Sequence, residues 1–256
     1  MGGFFKFDGY ELLATLRTIG TFAGQNWTQF SIFIFIFSGL ASGIQFALLK
    51  TGDDTGMIGT VMGFAVNAIA VPFMTAFHRT ILAPHQFNGV FKCLRFGRPE
   101  ITYIVLWGIC SLFLEFGKSK FITLFYFPPI PETITTDFIA ASVGLFAFAG
   151  GAILSAGLPL LALDRKISWA SAVQSTCGHR KILFFLWFFL VALYEFTWFT
   201  AMDLFHGKPD MLQIFHADII FASVTSTLDY LRAVIIILIT SAVAERIYGP
   251  GIPVDK

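Results

Sequence analysis

Four side chains stand where polarity is expensive. Glu195 lies in the middle of the apolar run 182–204, between Tyr194 and Phe196. Asp229 and Arg232 are three positions apart in the run 219–248. That spacing puts them on one helix face within pairing reach. Asn67 sits inside 57–77. A charge in hydrocarbon is costly, so each of these groups is expected to be paired or used. Two chemistries fit Glu195. It can be a proton or cation site, or a protonated or hydrogen-bonded clamp between helices. A single carboxylate with no second acid and no polar stripe fits the clamp better. Adjacent helix residues point about 100° apart, so Tyr194 is a poor partner for it. Arg232 and Asn67 have the chemistry to reach it from other spans.

No other constellation rises above background. Gly117-Lys118-Ser119 has the end of a phosphate loop, but Leu112 stands where the first glycine belongs. His78, His85, His179, His206 and His216 fall at the edges of apolar runs, where a buried macrocycle would find no axial ligand. Cys177 and His179 lack companions for a metal site, and Cys93, Cys110 and Cys177 form no CxxC pair. No Gly-x-Ser-x-Gly elbow occurs. The expectation is a chain that is not an enzyme, with no catalytic, cofactor-binding or metal residues and no cofactor.

The elements that must position the polar residues follow from composition. Of 256 residues, 56% are hydrophobic and 13% charged, against about 25% charged in ordinary soluble domains. Phenylalanine accounts for 32, and the mean hydropathy is +0.75. A soluble fold cannot hide so much apolar surface. A net charge of +1 offers no basic field for nucleic acid. Six runs reach the ~20 residues needed to cross a bilayer: about 27–49, 57–77, 101–121, 138–163, 182–204 and 219–248. In Ser31-Ile-Phe-Ile-Phe-Ile-Phe37 the alternation is apolar on both faces, which a membrane barrel strand would not show. Three more polar segments, about 8–26, 79–100 and 164–181, have helical apolar spacing with one wet face and read as helices lying in the membrane interface. The fold class expected is all-α, a polytopic membrane protein of about six transmembrane helices and three interfacial amphipathic helices. It forms one transmembrane domain over 1–256, with a weak threefold pattern over 8–78, 79–163 and 164–248.

Basic residues set the expected orientation. Twelve fall on the side that holds the termini, from Lys6 and Arg17 through Arg79 and Arg95 to Lys256, and four on the other, Lys50, Lys118, Lys120 and Lys208. Both termini are therefore expected in the cytoplasm. Gly39 and Gly43, Gly59 and Gly63, and Gly150 and Gly151 permit close helix approach, within the chain or at an oligomer seam. Phe33, Phe35 and Phe37 cover opposite helix faces, so some must meet lipid or a partner.

His78-Arg79-Thr-Ile-Leu82, Leu94-Arg-Phe-Gly-Arg-Pro-Glu100, Leu163-Asp164-Arg165, Trp169-Ala170 and Gly178-His179-Arg180 resemble a family of polytopic bacterial inner-membrane proteins of alphaproteobacterial type. Its layout is similar to the membrane region of glycerophosphodiester phosphodiesterases. The resemblance implies a bacterial inner-membrane protein of about six helices and transfers no active site. On these grounds we expect a non-catalytic membrane subunit, a scaffold, assembly or accessory chain of a larger complex. Its expected partners are lipids and other membrane subunits, in a hetero-complex or homo-oligomer, and not nucleic acid. The alternative is a small-solute, ion or proton transporter with Glu195 in the pathway.

Overall fold

A computed structural model describes residues 9–51, 57–87, 89–126, 134–163, 174, 176, 178–206 and 217–249. Among these there are helices, turns and short irregular connections, and no strand. The helices are α1 (Gly9–Thr51), α2 (Met57–Leu82), α3 (Arg98–Tyr126), α4 (Ile134–Ser155), α5 (Leu158–Ala162), α6 (Arg180–His206) and α7 (Ala217–Tyr248), with one 3-10 turn at Val90–Cys93. Among the described residues four stretches are long and apolar enough to cross a membrane: Gly9–Leu48, Ala65–Leu82, Ser142–Ala162 and Ala222–Tyr248. In lipid every backbone N–H and C=O must be satisfied within the segment, and that makes helices of such runs.

Three boundaries differ from the sequence expectation. The interfacial helix expected over 8–26 does not stand apart, because α1 is one helix of 43 residues through Gly20 and Gly24. A helical glycine costs only about 1 kcal/mol, and this half of α1 is held by packing. Phe22 and Asn26 are buried, and Leu12 and Ile19 pack against a core formed by α3, α4, α6 and α7. The helix expected over 79–100 is replaced by the end of α2, a turn and the 3-10 element. Pro84 disfavours helix at Ala83, and Gly89 takes a φ of +98° that a side chain would resist. The span expected over 138–163 is broken at Ala156–Gly157, between α4 and α5. Pro159 has no N–H to offer the Ser155 carbonyl, so α4 cannot run on. Of the third interfacial helix, expected over 164–181, positions 164–173 lie outside the described residues, and Arg180 and Lys181 already belong to α6.

Helix α1 packs mainly against α7 and also against α2, while α3 packs most closely against α4. An aromatic layer fills the middle. Phe33 stands edge-on to Phe77 at 5.4 Å and to Tyr230 at 5.8 Å between ring centroids, and Phe30 lies 4.5 Å from Phe77. Phe33 and Phe37 point into this core while Phe35 is 80% exposed, as their spacing requires. On the second core, Trp187 Nε1 donates to Ser155 Oγ at 2.9 Å and ties α6 to α4.

Candidate intramembrane site

Between α1, α2, α3 and α7 the helices leave a cavity of about 630 Å³. Each helix contributes one stripe. Ala41, Ile44, Gln45 and Leu48 come from α1, and Val66, Asn67, Ala70 and Met74 from α2. Trp107 and Ser111 come from α3, and Ser226, Asp229, Tyr230, Arg232 and Ala233 from α7. Intervals of three and four residues put these side chains on single helix faces. The cavity lies in the half of the bundle nearest the α1–α2 connection. The aromatic layer floors it through Tyr230.

Three of the four polar residues singled out in the sequence, Asn67, Asp229 and Arg232, therefore line one space. Asp229 Oδ1 and Arg232 Nη2 are 3.9 Å apart, a long ion pair. Tyr194 of α6 serves both: its hydroxyl donates to Asp229 Oδ1 at 2.8 Å, and the Arg232 guanidinium lies 4.5 Å from its ring centroid. A guanidinium over an aromatic face is favourable by cation–π attraction. Glu195, the fourth residue, is half-buried beside Tyr194 and is not part of the cavity wall. A second space, of about 30 Å³, is walled by Cys110, Trp187 and Ile236 and shares Trp107, Ser111 and Arg232 with the first.

At the opposite end of the same helices sits a polar cluster that sequence reasoning missed. His78 and Arg79 read there as residues at the edge of a span. Both are fully buried. Arg79 Nε donates to the Ala162 carbonyl at 2.7 Å and Nη1 to the Cys93 carbonyl at 3.3 Å, while Nη2 bonds Glu100 Oε1. Glu100 is itself buried, and its Oε2 accepts from the Gly97 N–H at 2.9 Å, capping α3. The exposed Arg95 adds a contact of 3.6 Å to Glu100 Oε1. His78 lies between Ser241 Oγ (2.7 Å from Nδ1) and Tyr103 Oη (3.1 Å from Nε2), which joins α2 to α7 and α3. The available signal was Arg98-Pro99-Glu100 opening a helix just after an arginine at the end of another.

Cys93 Sγ donates to the Gly89 carbonyl at 3.1 Å. Burial raises its thiol pKa, against smaller opposing effects of Thr80 and of the Arg79 and Arg95 charges. Near the start of α1, Glu11 Oε1 meets His179 Nδ1 at 2.5 Å. Among the described residues no three His, Cys, Asp or Glu side chains converge to hold a metal.

The glycines divide. A Cβ on Gly151 would lie 3.0 Å from Leu114 Cγ, 3.1 Å from the Cys110 carbonyl oxygen and 3.2 Å from Phe113 Cβ, so this glycine permits the α3–α4 contact. A Cβ at Gly39, Gly43 or Gly150 would meet nothing within 4 Å. The surroundings of Gly59 and Gly63 lie outside what is described. No protein-family model, no curated protein and no solved structure matches this chain.

Proposed function

We propose that this chain is a multi-pass membrane protein that binds a small polar solute in the cavity between α1, α2, α3 and α7 and carries it across the bilayer. The observation behind this reading is the convergence of Asn67, Asp229 and Arg232 on one cavity between apolar helices. Charge is kept inside a membrane protein where it faces a cavity or a pathway. The helices are closed at the far end by the aromatic layer and the Arg79–Glu100 cluster, so access comes from one side. In this reading α3 and α6, 29 and 27 residues long, also cross, which makes six spans. Both termini are cytoplasmic on the basic-residue asymmetry, so the cavity opens outward. The resemblance of its short motifs supports a bacterial inner membrane as its place. Glu195 flanks the pathway through Tyr194.

The test is reach. In a cysteine-free background, Ser111→Cys and Ser226→Cys should react in intact cells with a hydrophilic, membrane-impermeant thiol reagent, and Ser241→Cys should not. Silence at 111 and 226 with a reagent that labels Asp53→Cys would remove the cavity reading.

A second reading keeps the chain as a non-catalytic accessory subunit. The exposed Phe35, Phe146 and Phe196 favour an apolar neighbour. Acyl chains satisfy that as well as a partner does. Recovery of a stoichiometric second chain in mild detergent would select this reading.

A further inference from the structure

We infer that the solute is a zwitterion with an apolar side chain, an inference that rests on the cavity reading above. The wall carries one anion and one cation, Asp229 and Arg232, on the same face of α7. A solute of net charge entering this space meets one of them with the wrong sign. A net-neutral solute carrying both a carboxylate and an ammonium meets each with the right one, which is the economy of charge complementarity at any site.

The geometry fits both groups. The separation of 3.9 Å is longer than the 2.7–2.9 Å of a tight charge-assisted hydrogen bond. Tyr194 and Arg232 both meet Asp229 at Oδ1, and the carboxylate has a second oxygen, Oδ2, that can accept from an ammonium. The guanidinium presents a planar fork of five N–H donors that matches a carboxylate. Tyr194 holds both charged groups from behind, so they are oriented before any solute arrives. Opposite them α1 and α2 supply Ile44, Leu48, Val66 and Met74, a surface for branched hydrocarbon. The volume, about 630 Å³, is in the ordinary range for sites that take small molecules.

Three probes with one hydrocarbon decide it: leucine, 4-methylpentanoate and 3-methylbutylamine. Binding is measured by calorimetry on the full chain in lipid nanodiscs. Leucine should bind at least about tenfold more tightly than either single-charge probe, the weight of one charged hydrogen bond. Arg232→Gln and Asp229→Asn should each weaken leucine by a similar factor. Asp229→Asn should bind 4-methylpentanoate more tightly than the unaltered chain does, and Arg232→Gln should do the same for 3-methylbutylamine. This crossover separates lost contacts from lost folding, because a misfolded variant gains nothing. Tighter binding of the acid or the amine than of leucine overturns the zwitterion and leaves the cavity standing. Binding of none of the three also overturns it, and the cavity reading then rests on labelling at 111 and 226.

Discussion

Arg79 and Glu100 are buried together, and neither charge has water to fall back on. Removing one partner of such a pair strands the other, at a cost of about 3–5 kcal/mol. Glu100→Gln should therefore lower the thermal stability of the purified protein sharply. Replacing both at once, as Arg79→Met with Glu100→Leu, should cost less than the two single changes summed. Tyr194→Phe should act more mildly, by about 1 kcal/mol, since it removes one hydroxyl and keeps the ring beneath Arg232. Cys93 gives a pH dependence. Its thiol pKa is raised, so the fold favours the neutral form. That contribution is complete below the ordinary thiol range and fades as pH climbs through the raised value. Alkylation of Cys93 by iodoacetamide should lag that of an exposed thiol near pH 8 and approach it only at higher pH. Residue-scale legibility follows from how far apart the partners lie in sequence. The Asp229–Arg232 pair was readable because helix geometry fixes it. Arg79 was not, because its partners sit 21 and 83 positions away and a local view sees only a basic residue at the end of a span.

At the scale of elements, α3 and α4 approach each other closely at Gly151. Gly151→Val would place carbon against the Cys110 carbonyl, which cannot move aside. It should destabilise by about 1–3 kcal/mol, as overpacking does. Gly39→Val meets open space and should leave intrachain stability nearly unchanged. Melting temperatures of the two variants, side by side, check this. Both glycines looked alike in the sequence, because small-residue spacing says which residues share a face and not what that face meets. The long apolar runs were legible as helices for the opposite reason, since the requirement to satisfy the backbone in lipid is local. The continuity of α1 and the loss of a helix over 79–100 were not legible. The first depends on what Leu12 and Ile19 pack against, and the second on Pro84 and on burial of Arg79.

The molecule as a whole has two unlike ends. One is a polar cavity among four helices, and the other is a buried network of Arg79, Glu100 and His78 beneath an aromatic layer. Impermeant labelling of intact cells should mark Asp53→Cys and leave a cysteine at 254 silent. Labelling at 254 alone would invert the orientation. The cavity itself was beyond the sequence, because it depends on the register of four helices at once.

The opposite charges one turn apart on α7 have an electrical consequence. A membrane potential does work on net charge, about 2.3 kcal/mol per elementary charge per 100 mV. Asp229 and Arg232 together carry none, and a solute that answers both carries none either. Movement of such a loaded site through the field is electroneutral. Uptake into proteoliposomes should then be indifferent to a potassium diffusion potential of either sign, and should follow the solute gradient alone. A current, or a rate that changes with the sign of the imposed potential, would show that a further charge travels with the solute.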